Sequence, residues 1–141
     1  MLLEKFKEAK FDVNQKDKDG NTGLHLACIN GRFNVIEIFI QNSIKYNIQL
    51  NAKDKNRCTA FHVACKNGHP KIAKLLIQKC DELKIVLNKK DIDNLTAFYW
   101  ACRNGLSNIG KSMFYCVSHF CFLTLLMAMG IGKTQEQLTF K

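Results

Sequence analysis

The histidines are the residues best suited to acid–base chemistry near neutral pH. His25 and His62 each follow a threonine by three residues, Thr22 and Thr59. Nucleophilic catalysis needs such a base beside an activated hydroxyl, thiol or carboxylate. No serine, cysteine or carboxylate lies near either histidine in a pattern of that kind. We therefore expect no catalytic residues and no enzyme activity.

Seven cysteines could bind a metal or form disulfides. The chain has no C-x-x-C pair, and the closest pairs are Cys58 with Cys65 and Cys116 with Cys121, so the spacing does not match a zinc site. Residues 1–5 lack a long apolar signal segment, which favours a reducing, cytoplasmic location. We expect no metal site.

Residues 130–134, G-I-G-K-T, are similar to the end of a phosphate-binding loop. The complete pattern needs a glycine where the chain has Met127. We therefore expect no nucleotide and no other cofactor.

A spacing of 37 residues relates most of the chain to itself. The matching sets are Asn14, Asn51 and Asn88; Thr22, Thr59 and Thr96; Ala27, Ala64 and Ala101; Cys28, Cys65 and Cys102; Asn30, Asn67 and Asn104; and Gly31, Gly68 and Gly105. A period of this length predicts stacked units that bury one another's apolar faces.

Each unit has the pattern turn, helix, turn, helix. The threonine can cap an inner helix, whose apolar stripe in the first unit is Leu24, Ala27 and Cys28. We interpret the three recurring cysteines as small, buried packing residues. The recurring Asn-Gly pair ends the helix through a left-handed conformation, and an outer helix follows.

Two segments resemble the ankyrin repeat, whose signature is T-P-L-H-x-A. They are residues 19–28, DGNTGLHLAC, and 58–65, CTAFHVAC, and residues 67–69 add N-G-H. The resemblance covers about residues 11–114 and implies an all-α ankyrin-repeat solenoid that binds other proteins. It also implies that His25 and His62 hydrogen-bond the threonine and neighbouring turns.

The sequence departs from the family pattern at several positions. Gly23, Ala60 and Ala97 replace the proline after the threonine, Arg57 and Asn94 replace the turn glycine, and Tyr99 replaces histidine. An arginine with positive φ would be strained. The period exceeds the usual one by about four residues, which we place in 41–50 and 78–87, with Leu50 and Leu87 packing inward.

We divide the chain into a partial outer helix (1–10), repeats at 11–47 and 48–84, a degenerate repeat at 85–115, and an apolar segment with a tail (116–141). No charged residue occurs between Lys111 and Lys133, so residues 112–132 are long enough to cross a bilayer. In the alternative, residues 109–114 form the third outer helix, degraded by Gly110 and Ser112, and the remainder packs as a terminal helix or is disordered. Localisation is therefore expected to be cytoplasmic or, alternatively, membrane-associated.

The basic residues that give the formal charge of +9 are spread among acids, as in Lys16-Asp17-Lys18-Asp19, which argues against nucleic acid as a partner. We expect a partner protein to contact the inner-helix face and the turn tips. The turn-tip residues are Lys18, Asp19 and Gly20; Lys55, Asn56 and Arg57; and Ile92, Asp93 and Asn94. No small-molecule substrate is expected.

Overall fold

The computed structural model describes residues 11–114 and 129–130, and residues 11–114 contain stacked helix pairs. The helices are α1 (Gly23–Ile29), α2 (Phe33–Gln41), α3 (Ala60–Lys66), α4 (Pro70–Gln78), α5 (Cys80–Leu83), α6 (Ala97–Arg103) and α7 (Ser107–Phe114). Inner helices α1, α3 and α6 pack in order, as do outer helices α2, α4 and α7. The described ranges contain no strand, so the predicted all-α solenoid is confirmed. The half helix predicted at 1–10 lies outside these ranges.

Threonines begin the inner helices, and glycines follow their ends. Thr22, Thr59 and Thr96 have extended backbones, and each hydroxyl accepts the backbone N–H three residues later at 3.4 Å. The glycines have φ of 65°, 70° and 69° at positions 31, 68 and 105. Helices of seven residues are too short to persist alone, so their stability comes from packing.

The core runs continuously through the stack. Every residue from Ala60 to Cys65 is buried, because α3 has an inner helix on either side. Cys28 and Cys65 are fully buried, whereas Cys102 is exposed. The prediction of a buried Cys102 is therefore wrong. α6 is the last inner helix of the described ranges, and no described helix covers the face that α3 covers on α1.

The extra residues of the long period follow the outer helices. After α2 the chain makes turns over residues 42–47, and after α4 it forms the short helix α5. Leu50 and Leu87 are 7% and 5% exposed, which confirms that they pack inward.

Asparagine side chains hold these extra residues in place. Asn14 donates from Nδ2 to the carbonyl of Asn47 at 2.9 Å, and its Oδ1 accepts the N–H of Gln49 at 2.8 Å. The second unit repeats the arrangement with Asn51, Lys84 and Val86, at 2.9 and 2.8 Å. The loop after each of these outer helices is thus fastened to an asparagine near the start of the same unit.

The third outer helix is α7, which begins two residues before the predicted start at position 109. Ile109 and Met113 are each 1% exposed, so Gly110 and Ser112 do not prevent packing against the core. Positions 112–114 of the predicted anchor belong to this helix. Each helix of residues 11–114 is too short or too polar to cross a bilayer. Residues 115–128 lie outside the described part.

Candidate functional site

An aspartate shapes each of the three turns that end in the turn tips. Oδ1 of Asp17 accepts the N–H groups of Asp19 and Asn21, both at 2.9 Å. Asp54 and Asp91 make the equivalent pairs of bonds at 2.8 to 3.0 Å. These aspartates were not singled out from the sequence, although they share the spacing of 37 that identifies the other repeated positions.

Backbone hydrogen bonds join the successive turn tips. The N–H of Lys55 donates to the carbonyl of Asp19 at 3.0 Å, and that of Ile92 donates to the carbonyl of Asn56 at 2.8 Å. Lys55 Nζ also lies 2.6 Å from Asp19 Oδ1, in an exposed ion pair. Gly20 has φ of 77°, and a Cβ there would lie 2.8 Å from the Lys55 nitrogen. The tips therefore form one connected edge.

The structure brings all nine predicted tip residues onto this edge. Asp19 and Gly20 are partly covered by their neighbours, and the exposed members are Lys18, Lys55, Asn56, Arg57, Ile92, Asp93 and Asn94. Arg57 and Asn94 have φ of 59° and 64°, so both adopt the positive φ of the glycine that they replace. Asparagine tolerates this conformation better than arginine does.

The histidines connect the units beneath the tips. His25 Nδ1 lies 2.9 Å from Oγ1 and 3.2 Å from N of Thr22, and Nε2 lies 2.9 Å from the carbonyl oxygen of Cys58. His62 repeats these contacts with Thr59 and the carbonyl of Leu95. Because a backbone N–H donates to Nδ1, the proton must be on Nε2 and the ring is neutral.

Burial is the main cause that lowers the pKa of both histidines below its usual value of 6.5. Each residue is only 1% exposed, so neither ring can exchange protons with a ligand at the surface. The geometry therefore assigns His25 and His62 to holding units together.

Among the described residues, the third unit has no such bridge. Tyr99 is 43% exposed, and its ring packs edge-on against Trp100 with centroids 5.5 Å apart. Trp100 instead donates from Nε1 to Oδ2 of Asp91 at 2.8 Å. Burial acts to raise the pKa of Asp91, but hydrogen bonds from Leu95 N–H and the indole outweigh it and lower that pKa.

The inner-helix face presents side chains that differ from unit to unit. One repeated position holds Leu26, Val63 and Trp100, of which Val63 is buried. A second repeated position, three residues later, holds Ile29, Lys66 and Arg103. Leu26 and Ile29 are 42% and 37% exposed. The use of this face was predicted from the sequence, but none of these residues was named. Their positions recur with the period, which is the signal that could have identified them.

Metal and thiol chemistry have little support in the described part of the chain. Residues 11–114 and 129–130 contain no cluster of three His, Cys, Asp or Glu side chains that could hold a metal ion. Burial raises the pKa of Cys28 and Cys65 to about 12, so these thiols are poor nucleophiles at neutral pH.

The sequence matches a known protein family over most of its length. A family model described as "Ankyrin repeats (3 copies)" matches residues 1–85 and 44–124. The two matches together span residues 1–124, which include every turn tip and inner helix described above.

Proposed function

The chain belongs to the ankyrin-repeat family, and from that membership we propose that it is a non-catalytic adaptor that binds a partner protein through its turn tips and inner-helix face. Ankyrin repeats are generally protein-interaction modules. The assignment of the contact to the turn tips and the inner-helix face of this chain is supported by the geometry of those surfaces.

The observation that carries the proposal is the connected edge of turn tips. Backbone bonds link Asp19 to Lys55 and Asn56 to Ile92, so the three tips hold fixed positions relative to one another. A surface that is already ordered loses little conformational entropy when it binds. The side chains on this fixed backbone differ between units, which allows them to select one partner.

Charge favours a protein over a nucleic acid as the partner. Nucleic-acid binding requires lysines and arginines that neutralise successive phosphates. Here Asp19 pairs with Lys55, and Asp93 lies on the third tip, so acids interrupt the basic residues. Binding to DNA or RNA that falls steeply with added salt would contradict this reasoning.

Affinity capture with two matched double variants tests the proposal. In the tip variant, Lys18→Glu and Ile92→Glu change exposed residues on the first and third tips. In the control variant, Lys74→Glu and Ile44→Glu make the same changes on the outer side of the stack. Circular dichroism establishes that both variants remain folded.

We expect the wild-type chain and the control to retain a common set of proteins that the tip variant loses by about tenfold or more, as removal of central contacts usually produces. Equal retention by both variants, or loss with the control alone, would contradict the assignment of the edge.

Location in the cytoplasm, and the alternative of a membrane tether within 112–132, stay as predictions from the sequence. Because residues 112–114 belong to α7, the informative deletion removes residues 115–132 and leaves that helix intact. A membrane fraction that resists carbonate extraction and persists after this deletion would argue against the anchor.

A further inference from the structure

Two cations lie against Trp100, which is the single tryptophan of the chain. Lys66 Nζ is 4.4 Å and Arg103 Cζ is 5.4 Å from the ring centroid, within the range of cation–π attraction. The indole is fixed by its hydrogen bond to Asp91, whose carboxylate two backbone N–H groups hold. This arrangement gives the cations a rigid platform.

Both cations lack a carboxylate partner among the described residues. The ion pairs of the described side chains join Lys55 to Asp19 and Lys79 to Glu82, and none involves Lys66 or Arg103. Asp91, the acid that contacts Trp100, is already engaged by three hydrogen bonds. Lys66 Nζ also lies 3.9 Å from Cys58 Sγ. Two cations beside one ring that form no ion pair in the described ranges favour an incoming carboxylate, which would form charge-assisted hydrogen bonds with them.

Position 29 of the first unit corresponds to Lys66 and Arg103 in the next two, and we call these three residues the row. Packed helices lie about 8–10 Å apart, and an extended chain advances about 3.3 Å per residue, so one step along the row spans about three residues. Ile29 is 37% exposed. It shares with Lys66 the lining of a groove of about 330 Å³ between the inner helices and the tips.

We propose that the row binds an extended acidic segment of the partner protein, with an aliphatic side chain against Ile29 and carboxylates at Lys66 and Arg103. This inference rests on the proposed function and names the chemistry of its partner. Asp19 and Asp54 also line the groove. They repel a strand that carries a charge at every residue, whereas the proposed segment places a neutral side chain in the groove at Ile29 and carboxylates at Lys66 and Arg103.

Trp100 provides a selective assay, because no other tryptophan contributes to its fluorescence. The probe is a synthetic peptide, Leu-Ser-Ser-Glu-Ser-Ser-Glu between glycines, prepared in both chain directions. One control peptide replaces each glutamate with glutamine, and a second has the same composition with the leucine and glutamates adjacent. Anisotropy of a fluorescein-labelled peptide supplies a second measure of affinity that does not depend on the indole.

We expect the spaced acidic peptide to bind about fivefold or more tightly than either control peptide, and to weaken as salt rises. Lys66→Gln and Arg103→Gln should each reduce affinity by about three- to tenfold. Lys74→Gln and Lys111→Gln remove the same charge from exposed outer positions and should change affinity by less than about twofold.

Equal binding of the glutamate and glutamine peptides would overturn the proposal, as would equal losses from Lys66→Gln and Lys74→Gln. Tighter, row-dependent binding of an oligothymidylate of equal length would overturn it in favour of nucleic acid. If capture of partner proteins is lost on substitution of Lys18 and Ile92 but not of Lys66 and Arg103, the assignment of binding to the row is wrong and the proposed function stands. If they depend on neither pair, both fail.

Discussion

Replacing His62 with alanine tests whether a buried histidine holds adjacent units together. The ring lies 3.0 Å from Thr59 Oγ1 and 3.2 Å from the carbonyl oxygen of Leu95, and the residue is 1% exposed. Each hydrogen bond contributes about 0.5–1.5 kcal/mol net, and removing a buried ring also leaves a small cavity and unpaired polar groups. We expect the free energy of unfolding to fall by about 3 kcal/mol.

Urea unfolding followed by far-ultraviolet circular dichroism and by Trp100 fluorescence measures this loss. Tyr99→Ala is the matched control, because Tyr99 has the same place in the third unit, is 43% exposed and forms no bridge to another turn of the described part. Its replacement should cost less than about 1 kcal/mol, as is usual for a surface residue. Equal losses for the two variants would refute the bridging role.

The dependence of stability on pH gives an independent test of the same contacts. Burial lowers the pKa of His25 and His62 in the folded chain, whereas in the unfolded chain they titrate near 6.5. Below that pH the unfolded state binds more protons, so stability is full above about pH 6.5 and falls as the solution becomes more acidic. The loss on acidification should be shallower in His62→Ala. An unchanged slope would show that its protonation is not coupled to folding.

Further predictions concern backbone conformation, loop fastening and thiol access. Gly20→Ala should lower the free energy of unfolding by about 1–3 kcal/mol more than Gly68→Ala does. Both glycines have positive φ, but only at position 20 would the new Cβ meet a neighbouring turn. Equal losses in urea unfolding would contradict this. Asn51→Ala should lower the free energy of unfolding by about 1–3 kcal/mol and speed proteolysis of the loop after α4, because two hydrogen bonds to that loop disappear. An unchanged rate of cleavage would argue that these hydrogen bonds do not hold the loop. Cys102 is exposed, whereas burial raises the pKa of the Cys65 thiol to about 12, so Cys102 should react with iodoacetamide much faster than Cys65. Comparable reaction rates, measured by peptide mass spectrometry, would contradict this difference in exposure.

Local chemistry explains why the helices could be predicted from the sequence. Thr22 caps its helix through a residue three positions away, and Gly31 ends it through its own backbone. Such signals do not depend on the rest of the fold, and their recurrence every 37 residues identifies the units. The same holds for Leu50, whose burial follows from its place before a repeated asparagine.

Features that depend on distant neighbours were not accessible in this way. The partners of Asn51 lie 33 and 35 residues further along, so its recurrence showed that it matters without showing what it contacts. Cys102 occupies a position that is buried in the earlier units, yet its own exposure depends on whether another inner helix packs against α6. The recurrence of a cysteine at this position does not show whether another helix covers it.

The residues of the proposed row were not named from the sequence, for a related reason. Repetition identifies what the units share, whereas the proposed row uses a position at which they differ, namely Ile29, Lys66 and Arg103. The cation pair at Trp100 also needs Asp91 to orient the indole, and that contact joins a turn to a helix. The surface could be predicted from the repeat pattern, but its chemistry required the side-chain geometry.

The side chains of Asn14 and Asn51, which hold the loops after the outer helices, affect how the length of a unit can change. Each asparagine holds the loop that follows the outer helix of its own unit, 33 residues further along the chain, so the added residues are accommodated within that unit. The distance between consecutive turn tips is set separately, by the backbone hydrogen bonds that join the tips. Residues can therefore be added to or removed from the loop of one unit while the spacing of the turn tips stays the same. A ligand bound along the connected edge of tips would then meet the same arrangement of residues.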